Sequence, residues 1–200
     1  MSHVAGNHEI ETASGRFVDV RNPDPDTIVL EDIAHHLAHI CRFTGACSRF
    51  YSVAEHAVLV ADRLVELGAH PRVALAGLHH DDAEAYLNDV ARPLKGLLHP
   101  AYRDLTIDMD AAITRALGIE TLLPGPEAAS AIRAADEWAL AAEAYHLLPS
   151  RGAGWFCHGL YDASAPGPAR HGLGVDTGIA FDAYLNRHRQ LTIMAEAIAA

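Results

Sequence analysis

The chain has 200 residues, of which 50% are hydrophobic, and it carries a formal net charge of −11 at pH 7. This length allows one domain with a substantial core, and no repeat or charge-block boundary divides residues 1–200 into two units. The negative charge disfavours a general nucleic-acid binder, since a polyanionic backbone would be repelled, but it is compatible with a small phosphorylated ligand held by a few local cations.

The sequence contains no targeting segment and no disulfide pattern. Its start lacks the basic-then-apolar form of a signal peptide, and no apolar run approaches the roughly 18–20 residues needed to span a membrane. We therefore expect a cytoplasmic protein without a membrane partner. The three cysteines, Cys41, Cys47 and Cys157, have no C-x-x-C spacing, so neither a disulfide framework nor a zinc ribbon is predicted.

The N-terminal part of the chain predicts a short arm followed by a helical body. Residues 1–29 combine turn-forming residues with one alternating piece, GRFVDV, which indicates a strand or hairpin arm. Helical periodicity begins at Leu30. The next helix, SVAEHAVLVADRLVEL, has a capping box with Ser52 as the N-cap residue and Glu55 three positions later, and Gly68 closes it.

The rest of the chain predicts four more helices. The segment PRVALAGLHHDDAEAY starts at Pro71, a residue suited to a first helical turn. Further helices are expected over about 100–117, 127–148 and 177–198. Residues 150–176 form an irregular segment before the last helix, which is typical of a lid, a binding loop or an interface. The whole pattern predicts an all-α helical bundle with a short N-terminal strand or hairpin arm.

Three of the predicted helices direct ionisable side chains into the core. Apolar spacings of three and four place His56 on the inward face of the second helix, and His80 with the adjacent Asp81 on that of the third. Asp136 lies on the inward face of the helix over 127–148. Burying such groups without partners costs at least about 1–3 kcal/mol each, so something must compensate them.

A divalent metal ion would compensate all four side chains at once. Two imidazoles and two carboxylates suit a borderline or hard cation such as Mn²⁺, Co²⁺, Zn²⁺, Mg²⁺ or Fe²⁺, with positions left open for water. Open positions imply catalysis. A single inward histidine is more often hydrogen-bonded in the core, so the joint pattern carries the prediction. We predict one divalent metal ion per subunit, bound by His56, His80, Asp81 and Asp136.

The order His56, His80-Asp81 and Asp136 resembles the H…HD…D motif of the HD-domain metal-dependent phosphohydrolases, an all-helical superfamily. The closer similarity is to its small nucleotidase branch, which includes bacterial 5′-deoxynucleotidases and virus-encoded dATP triphosphohydrolases. It extends to the segments RFTGACSRFYSVAEH, HDDAEAYLNDVARPLK and AADEWALAAEA, and covers about residues 20–148. The resemblance implies hydrolysis of deoxynucleoside phosphates.

The resemblance also implies roles for residues around the metal ligands. Glu84 would activate the attacking water or relay its proton, and Asp89 would be a second acidic group near the phosphate or the leaving oxygen. Arg42 would hold phosphate. Arg49 is the alternative, because the spacing from Arg42 to the first histidine ligand is one residue shorter than in the bacterial deoxynucleotidases. Lys95 would contact the distal phosphates.

The spacing within the third helix gives Glu84 a different role from the predicted metal ligands His80 and Asp81. Glu84 lies four positions after His80 and three after Asp81, so its carboxylate can face the same cavity without binding the metal. His79 and Asp82 flank the motif but fall off the inward stripe. For these two we predict indirect support or solvation in place of ligation.

The histidine content favours a single metal ion. Dinuclear members of the superfamily resemble one another in needing further histidine ligands between the HD pair and the last aspartate, where this chain has only His99. We therefore expect hydrolysis of a deoxynucleoside mono- or triphosphate by attack of water on the α-phosphorus. Similar small enzymes form dimers or larger rings, so a homo-oligomer is expected. The alternative is a nucleotide-binding or signalling module with a non-catalytic metal site, which Glu84 and Asp89 disfavour.

Overall fold

The computed structural model describes residues 6–120, 125–164 and 173–199. Within these ranges the strands β1 (Glu9–Glu11) and β2 (Phe17–Asp19) pair antiparallel, with Ile10 opposite Val18. The remaining regular elements in these ranges are helices, which confirms the predicted all-α class with a short N-terminal hairpin. The helices are α1 (Leu30–His39), α2 (Val53–Glu66), α3 (Pro71–Leu78), α4 (Glu84–Leu87), α5 (Arg92–Leu98), α6 (Ala101–Ala116), α7 (Pro126–Leu147) and α8 (Thr177–Ala199).

The hairpin arm is attached to α1 by polar contacts at its turn. Ser14 donates to both carboxylate oxygens of Asp32, from its backbone N–H at 2.8 Å and its hydroxyl at 2.7 Å. Asp32 is buried, so these bonds satisfy a carboxylate that would otherwise be costly to desolvate. Gly15 forms the turn with a φ of 79°, which a residue with a side chain rarely adopts. Val18 contributes the buried apolar side chain of the arm.

Helix α2 lies at the centre of the bundle, where it packs against α3, α7 and α8. Its N-terminus has the predicted capping box: the Ser52 hydroxyl accepts from the Glu55 N–H, and the Glu55 carboxylate accepts from the Ser52 N–H. Gly77 lets α3 approach α2 closely, because a Cβ atom there would collide with the buried Leu64 side chain. These features fix the position of the helix that carries His56.

The third predicted helix is shorter than expected. Helix α3 ends at Leu78, residues 79–83 form turns, and a separate short helix α4 follows. The expectation of one continuous helix is therefore wrong, and the unpredicted α5 follows after a further break. The turns let His80 and Asp81 face the same point, which adjacent residues on a regular helix, about 100° apart, do less readily.

The remaining boundaries agree closely with the prediction. Helices α6, α7 and α8 occupy the three predicted C-terminal spans, and α7 starts with Pro126 in its first turn. Residues 150–164 consist of turns, as the predicted irregular segment requires, whereas its residues 165–172 and residues 1–5 of the predicted arm lie outside the described ranges. Among the described residues, no helix combines the length and the apolar character needed to traverse a bilayer.

Candidate metal centre and ligand cavity

The four predicted metal ligands come together from three elements. His56 lies in the first turn of α2, His80 and Asp81 in the turns after α3, and Asp136 in the middle of α7. The Nε2 atom of His56 is 3.2 Å from Asp136 Oδ1, and that of His80 is 4.0 Å from the same oxygen. Ligand atoms of His56, His80 and Asp136 all lie within 4.8 Å of one another, so that these three residues could hold a metal ion.

Asp81 adjoins this group of three. Its Oδ2 atom is 3.6 Å from Nε2 of His56 and 3.2 Å from Nε2 of His80. Burial would raise the pKa of Asp81, but the two imidazoles beside it hold that pKa well below its usual range. Burial would also raise the pKa of Asp136, but the neighbouring His56 outweighs burial and lowers that pKa to about 2. Both carboxylates are therefore ionised at neutral pH and attract positive charge.

The hydrogen bonds of the two imidazoles direct both Nε2 atoms towards this point. Nδ1 of His80 donates to the Gly77 carbonyl at 2.7 Å, and Nδ1 of His56 lies 2.7 Å from Oε1 of Glu143. A carbonyl and an ionised carboxylate only accept, so the hydrogen sits on Nδ1 in each ring. Both Nε2 atoms are buried and have no hydrogen-bond partner among the described residues. Two nitrogen donors and two carboxylates facing one point fit a divalent cation.

Glu143 holds the base of this arrangement together. It is fully buried, and its carboxylate accepts from the Tyr51 hydroxyl at 3.0 Å and from Nε of Arg42 at 3.2 Å, besides its bond to His56. Nη2 of Arg42 forms an ion pair with Oε2 of Glu143 at 3.2 Å. Burial would raise its pKa, but Arg42 and His56 lower it. Burial and Arg42 lower the pKa of His56, yet Glu143 and Asp136 outweigh them and raise it to about 10. The carboxylates thus favour a cation where the metal is predicted.

A cavity of about 640 Å³ opens beside the predicted ligands Asp81 and Asp136. One part of its wall is charged and another part is apolar. Loops supply much of the wall, and Phe43 and Thr44 have φ values of 56° and 54°, which are uncommon for residues with side chains. The charged part includes Arg42, Asp81, Glu84, Asp89, Lys95 and Asp136. The apolar part includes Phe43, Leu140, Leu148, Trp155 and Phe156.

The predicted catalytic and phosphate-binding residues all line this cavity. Oε1 of Glu84 accepts from Nζ of Lys95 at 2.8 Å, whereas its buried Oε2 has no hydrogen-bond partner among the described residues. Burial and Asp81 raise the pKa of Glu84 to about 7, against the opposing effect of Lys95. Asp89 is half-buried in the wall. Of the two arginines considered, Arg42 lines the cavity, and its Nη1 atom is 4.0 Å from Asp81 Oδ2.

Arg49, the alternative phosphate ligand, is exposed and does not belong to the cavity wall among the described residues. The sequence did not identify Glu143 as a site residue, although it lies seven positions after Asp136 on the same inward face of α7. That spacing was the available signal. Tyr51 carried no comparable signal, because it precedes α2 and belongs to no periodic pattern.

Comparisons with known proteins establish the family of this chain. It is 37% identical over 146 residues to the uncharacterized protein YfdR of Escherichia coli strain K12, an alignment that covers 73% of this chain and 76% of YfdR. The chain belongs to the YfdR family. It is also 39% identical over 127 residues to the uncharacterized protein RCAP_rcc00048 of Rhodobacter capsulatus, covering 62% of this chain and 64% of that protein. No protein-family model matches the chain.

This member of the YfdR family buries the two residues that flank its candidate metal ligands. Nδ1 of His79 is 2.6 Å from Asp82, and the Tyr184 hydroxyl on α8 donates to the same carboxylate. Nε2 of His79 is 2.9 Å from His188. The expectation that His79 and Asp82 could be solvated is therefore wrong, because the chain leaves the helix at Leu78 and the helical stripe no longer applies. They support the turn by binding it to α8.

A second, smaller cavity lies beside the candidate metal centre of this YfdR-family protein. It has a volume of about 370 Å³ and shares His80 and Asp136 with the centre. Asp110 of α6 lines it, and burial together with Asp82 and Asp81 raises the pKa of Asp110 to about 7. No sequence motif singled out this aspartate. His80 and Lys95 oppose this rise but have smaller effects, so the neutral form of Asp110 is favoured more than that of an ordinary aspartate.

Proposed function

We propose that this protein is a metal-dependent phosphohydrolase that acts on deoxynucleoside phosphates. One observation carries the proposal: the buried Nε2 atoms of His56 and His80, which have no hydrogen-bond partner in the described part of the chain, face the carboxylates of Asp81 and Asp136 beside a cavity lined by Arg42. The order of these residues, which resembles that of the HD-domain phosphohydrolases, supports the same reaction class. Membership of the YfdR family adds no support for a particular activity, since both relatives are uncharacterized.

A divalent cation bound by His56, His80, Asp81 and Asp136 would polarise a phosphoryl oxygen and lower the pKa of water. The donors present are nitrogen and oxygen, which are suited to Mn²⁺, Co²⁺, Fe²⁺, Zn²⁺ or Mg²⁺. The hydrogen bonds at both Nδ1 atoms direct Nε2 of each imidazole towards the ion, which would take the place of a proton at Nε2. One ion per subunit is proposed.

The side chains of Arg42 and Glu84 supply the other functions that phosphate hydrolysis needs. Glu143 holds Arg42 through Nε and Nη2, so that Nη1 remains directed towards the side of Asp81, where it would offset negative charge on phosphate oxygens. A carboxyl group with a pKa near 7 exchanges its proton at neutral pH. Lys95 orients Glu84 by binding Oε1, which leaves Oε2 to accept the proton of the attacking water.

The charge around the cavity favours a monophosphate over a triphosphate. The described lining includes the carboxylates of Asp81, Glu84, Asp89 and Asp136 and the cations of Arg42, Arg92 and Lys95. A divalent ion would leave this wall with a small net positive charge. A monophosphate matches that charge better than a triphosphate, which carries roughly twice as much negative charge. Asp89 would add repulsion towards any phosphate beyond the first.

The experiment combines metal reconstitution with a product assay. The purified protein is freed of metal by chelation, supplied separately with Mn²⁺, Co²⁺, Mg²⁺ or Zn²⁺, and incubated with each deoxynucleoside mono- and triphosphate. We expect orthophosphate from monophosphates, no activity without metal, and loss of at least about a hundredfold in kcat/KM for Asp81→Ala. The matched control is Asp108→Asn, which changes an exposed carboxylate on α6.

Four results would contradict the proposal or part of it. Absence of turnover with every nucleotide and metal, or full activity in the Asp81→Ala variant, would refute the phosphohydrolase assignment. Tight nucleotide binding without turnover would instead favour a binding module with a non-catalytic metal site. Release of triphosphate from deoxynucleoside triphosphates, with no action on monophosphates, would refute the charge argument alone.

A further inference from the structure

We infer that Trp155, together with Phe43, forms the surface on which the nucleobase of the substrate stacks. The inference rests on the proposed function and extends it, because it assigns a ligand group to the apolar part of the cavity. The carboxylate ligands proposed for the metal, Asp81 and Asp136, and the cations proposed for the phosphate, Arg42 and Lys95, belong to the charged part. The apolar part therefore has no role in the hydrolysis step itself.

The two chemistries of the cavity wall require a ligand with two matching parts. Carboxylates and cations surround the metal ligands, whereas Phe43, Leu140, Leu148 and Trp155 present rings and methyl groups. A sugar phosphate without a base would leave this apolar surface in contact with water. A nucleotide would cover it with a flat heteroaromatic ring, and stacking on aromatic side chains accepts any base. A nucleobase is therefore the group that fits this surface.

The structure holds the Trp155 ring in a fixed place. Trp155 is half-buried, and its ring lies 5.9 Å from that of Phe43 at an interplanar angle of 57°. The backbone N–H of Trp155 donates to the carbonyl of Gly152 at 3.0 Å, and the buried Cys157 anchors the same turn in the interior. Gly152 has a φ of 74° and lies against Ala144 of α7. Fixing the ring in advance reduces the entropy lost when a ligand stacks on it.

Phe156 and Arg92 form an adjoining part of the wall. Phe156 is 59% exposed, and the guanidinium carbon of Arg92 lies 4.3 Å from its ring centroid. Both line the cavity. Leu160, in the same run of turns, is 49% exposed but does not line it. Leu160 therefore provides a control for the loss of an exposed apolar side chain from this segment.

The kinetic test compares a nucleotide with its base-free counterpart. Full-length wild-type, Trp155→Ala, Trp155→Phe and Leu160→Ala proteins are assayed with 2′-deoxyadenosine 5′-monophosphate and with 2-deoxyribose 5-phosphate. From the usual strength of base stacking, we expect Trp155→Ala to lower kcat/KM for the nucleotide about tenfold or more, mainly through KM. The base-free substrate should change less than about twofold, and Trp155→Phe should retain most of the wild-type preference.

The comparison separates stacking from a purely structural role. Equal losses on both substrates in Trp155→Ala would overturn the inference, because they would indicate a general disturbance of the site. A loss in Leu160→Ala as large as that in Trp155→Ala would overturn it as well. A selective loss for the nucleotide, restored by phenylalanine, would support it.

A binding measurement tests the inference even if the hydrolase assignment fails. The chain has two tryptophans, so Trp138→Phe leaves Trp155 as the single indole fluorophore. With chelator present, deoxyadenosine should quench the Trp155 emission in a saturable manner, whereas 2-deoxyribose 5-phosphate should not. Saturable quenching supports base stacking whether or not any nucleotide is hydrolysed. Absence of quenching by deoxyadenosine and by 2′-deoxyadenosine 5′-monophosphate overturns it, even for an active phosphohydrolase.

Discussion

The buried carboxylate of Glu143 accepts hydrogen bonds from the His56 imidazole, the Arg42 guanidinium and the Tyr51 hydroxyl. It is not one of the described residues that line the cavity. Its carboxylate fixes the tautomer of His56 and the direction of Arg42 at the same time. A buried carboxylate of this kind costs much to desolvate, and its three partners offset that cost. Glu143 therefore positions His56 and Arg42, and its removal should weaken metal binding at the candidate centre.

Glu143→Gln keeps the shape of the side chain but removes its charge. We expect a metal dissociation constant about 10–100 times larger, because a glutamine oxygen accepts more weakly from His56 and its amide cannot accept from Arg42. The measurement is calorimetric titration of metal-free protein with Mn²⁺ or Co²⁺. Glu66→Gln, at an exposed position of α2, is the control. An unchanged dissociation constant in Glu143→Gln would show that Glu143 has no positioning role.

Sequence patterns found the residues that face the core but not the tasks they perform there. Asp136 and Glu143 occupy the same inward face of α7, and the periodicity treats them alike. Their difference depends on which partners the fold brings near each of them. The motif spacing selects Asp136, whereas Glu143 is recognised only once Arg42 and His56 are seen around it.

The raised pKa of Asp110 predicts that the stability of the fold depends on pH. Its pKa is about 7 in the folded protein against 3.8 for an ordinary aspartate, so the folded state binds its proton more tightly than the unfolded state. The contribution to stability is complete below about pH 4 and is lost as the pH rises to about 7. Asp110→Asn removes this loss, so the variant should be more stable than wild type at pH 8, by about 1–2 kcal/mol, and similar to it at pH 4.

Urea denaturation of the metal-free protein at pH 4, 6 and 8 measures this effect. The exposed Asp108, on the same helix, gives the control substitution Asp108→Asn, which should leave the pH profile unchanged. An Asp110→Asn variant less stable than wild type at pH 8 would show that the carboxylate is charged and paired in the fold.

At the level of secondary structure, the break after α3 decides the geometry of the centre. The sequence predicted α2 well because its apolar periodicity agrees with its capping box, and it predicted α6, α7 and α8 from their helical periodicity. The run from His79 to Ala83 has no glycine or proline to mark a break. Contacts distant in sequence, such as that between Asp82 and Tyr184 of α8, hold this run in turns. Local patterns contain no record of such contacts.

Glu55 links the start of α2 to the chain that leads into α8. Its Oε2 atom caps α2 through Ser52, while Oε1 accepts from the N–H groups of Gly174 and Val175 at 2.7 and 3.1 Å. We expect Glu55→Ala to lower the free energy of unfolding by about 2–3 kcal/mol, and Ser52→Ala by about 1 kcal/mol.

Urea denaturation at pH 7 gives both values. The matched control is Glu66→Ala, which removes an exposed glutamate from the last turn of the same helix and should change stability by less than about 0.5 kcal/mol. Equal effects of Glu55→Ala and Ser52→Ala would show that the bonds to Gly174 and Val175 contribute nothing.

At the scale of the whole molecule, the candidate ligands join parts of the chain that are far apart in sequence. His56 belongs to α2, His80 to the turns after α3, and Asp136 to α7. Helix α2 packs directly against both α3 and α7. Without a cation, the carboxylates of Asp81 and Asp136 lie beside imidazole nitrogens for which the described ranges contain no hydrogen-bond partner. The folded state should therefore bind metal far more tightly than the unfolded chain, so metal binding should stabilise the fold.

Thermal unfolding with and without metal tests this coupling. At a free metal concentration of about 100 times the dissociation constant, the folded state should gain about 2.7 kcal/mol, which corresponds to a Tm increase of roughly 5–10 °C for a chain of this size. His56→Ala should abolish the increase, whatever its own effect on stability. The stacked and exposed pair His35 and His39 offers the control, since His39→Ala should leave the increase intact. An increase lost in His39→Ala and retained in His56→Ala would place the metal on α1 and exclude it from the centre of the bundle.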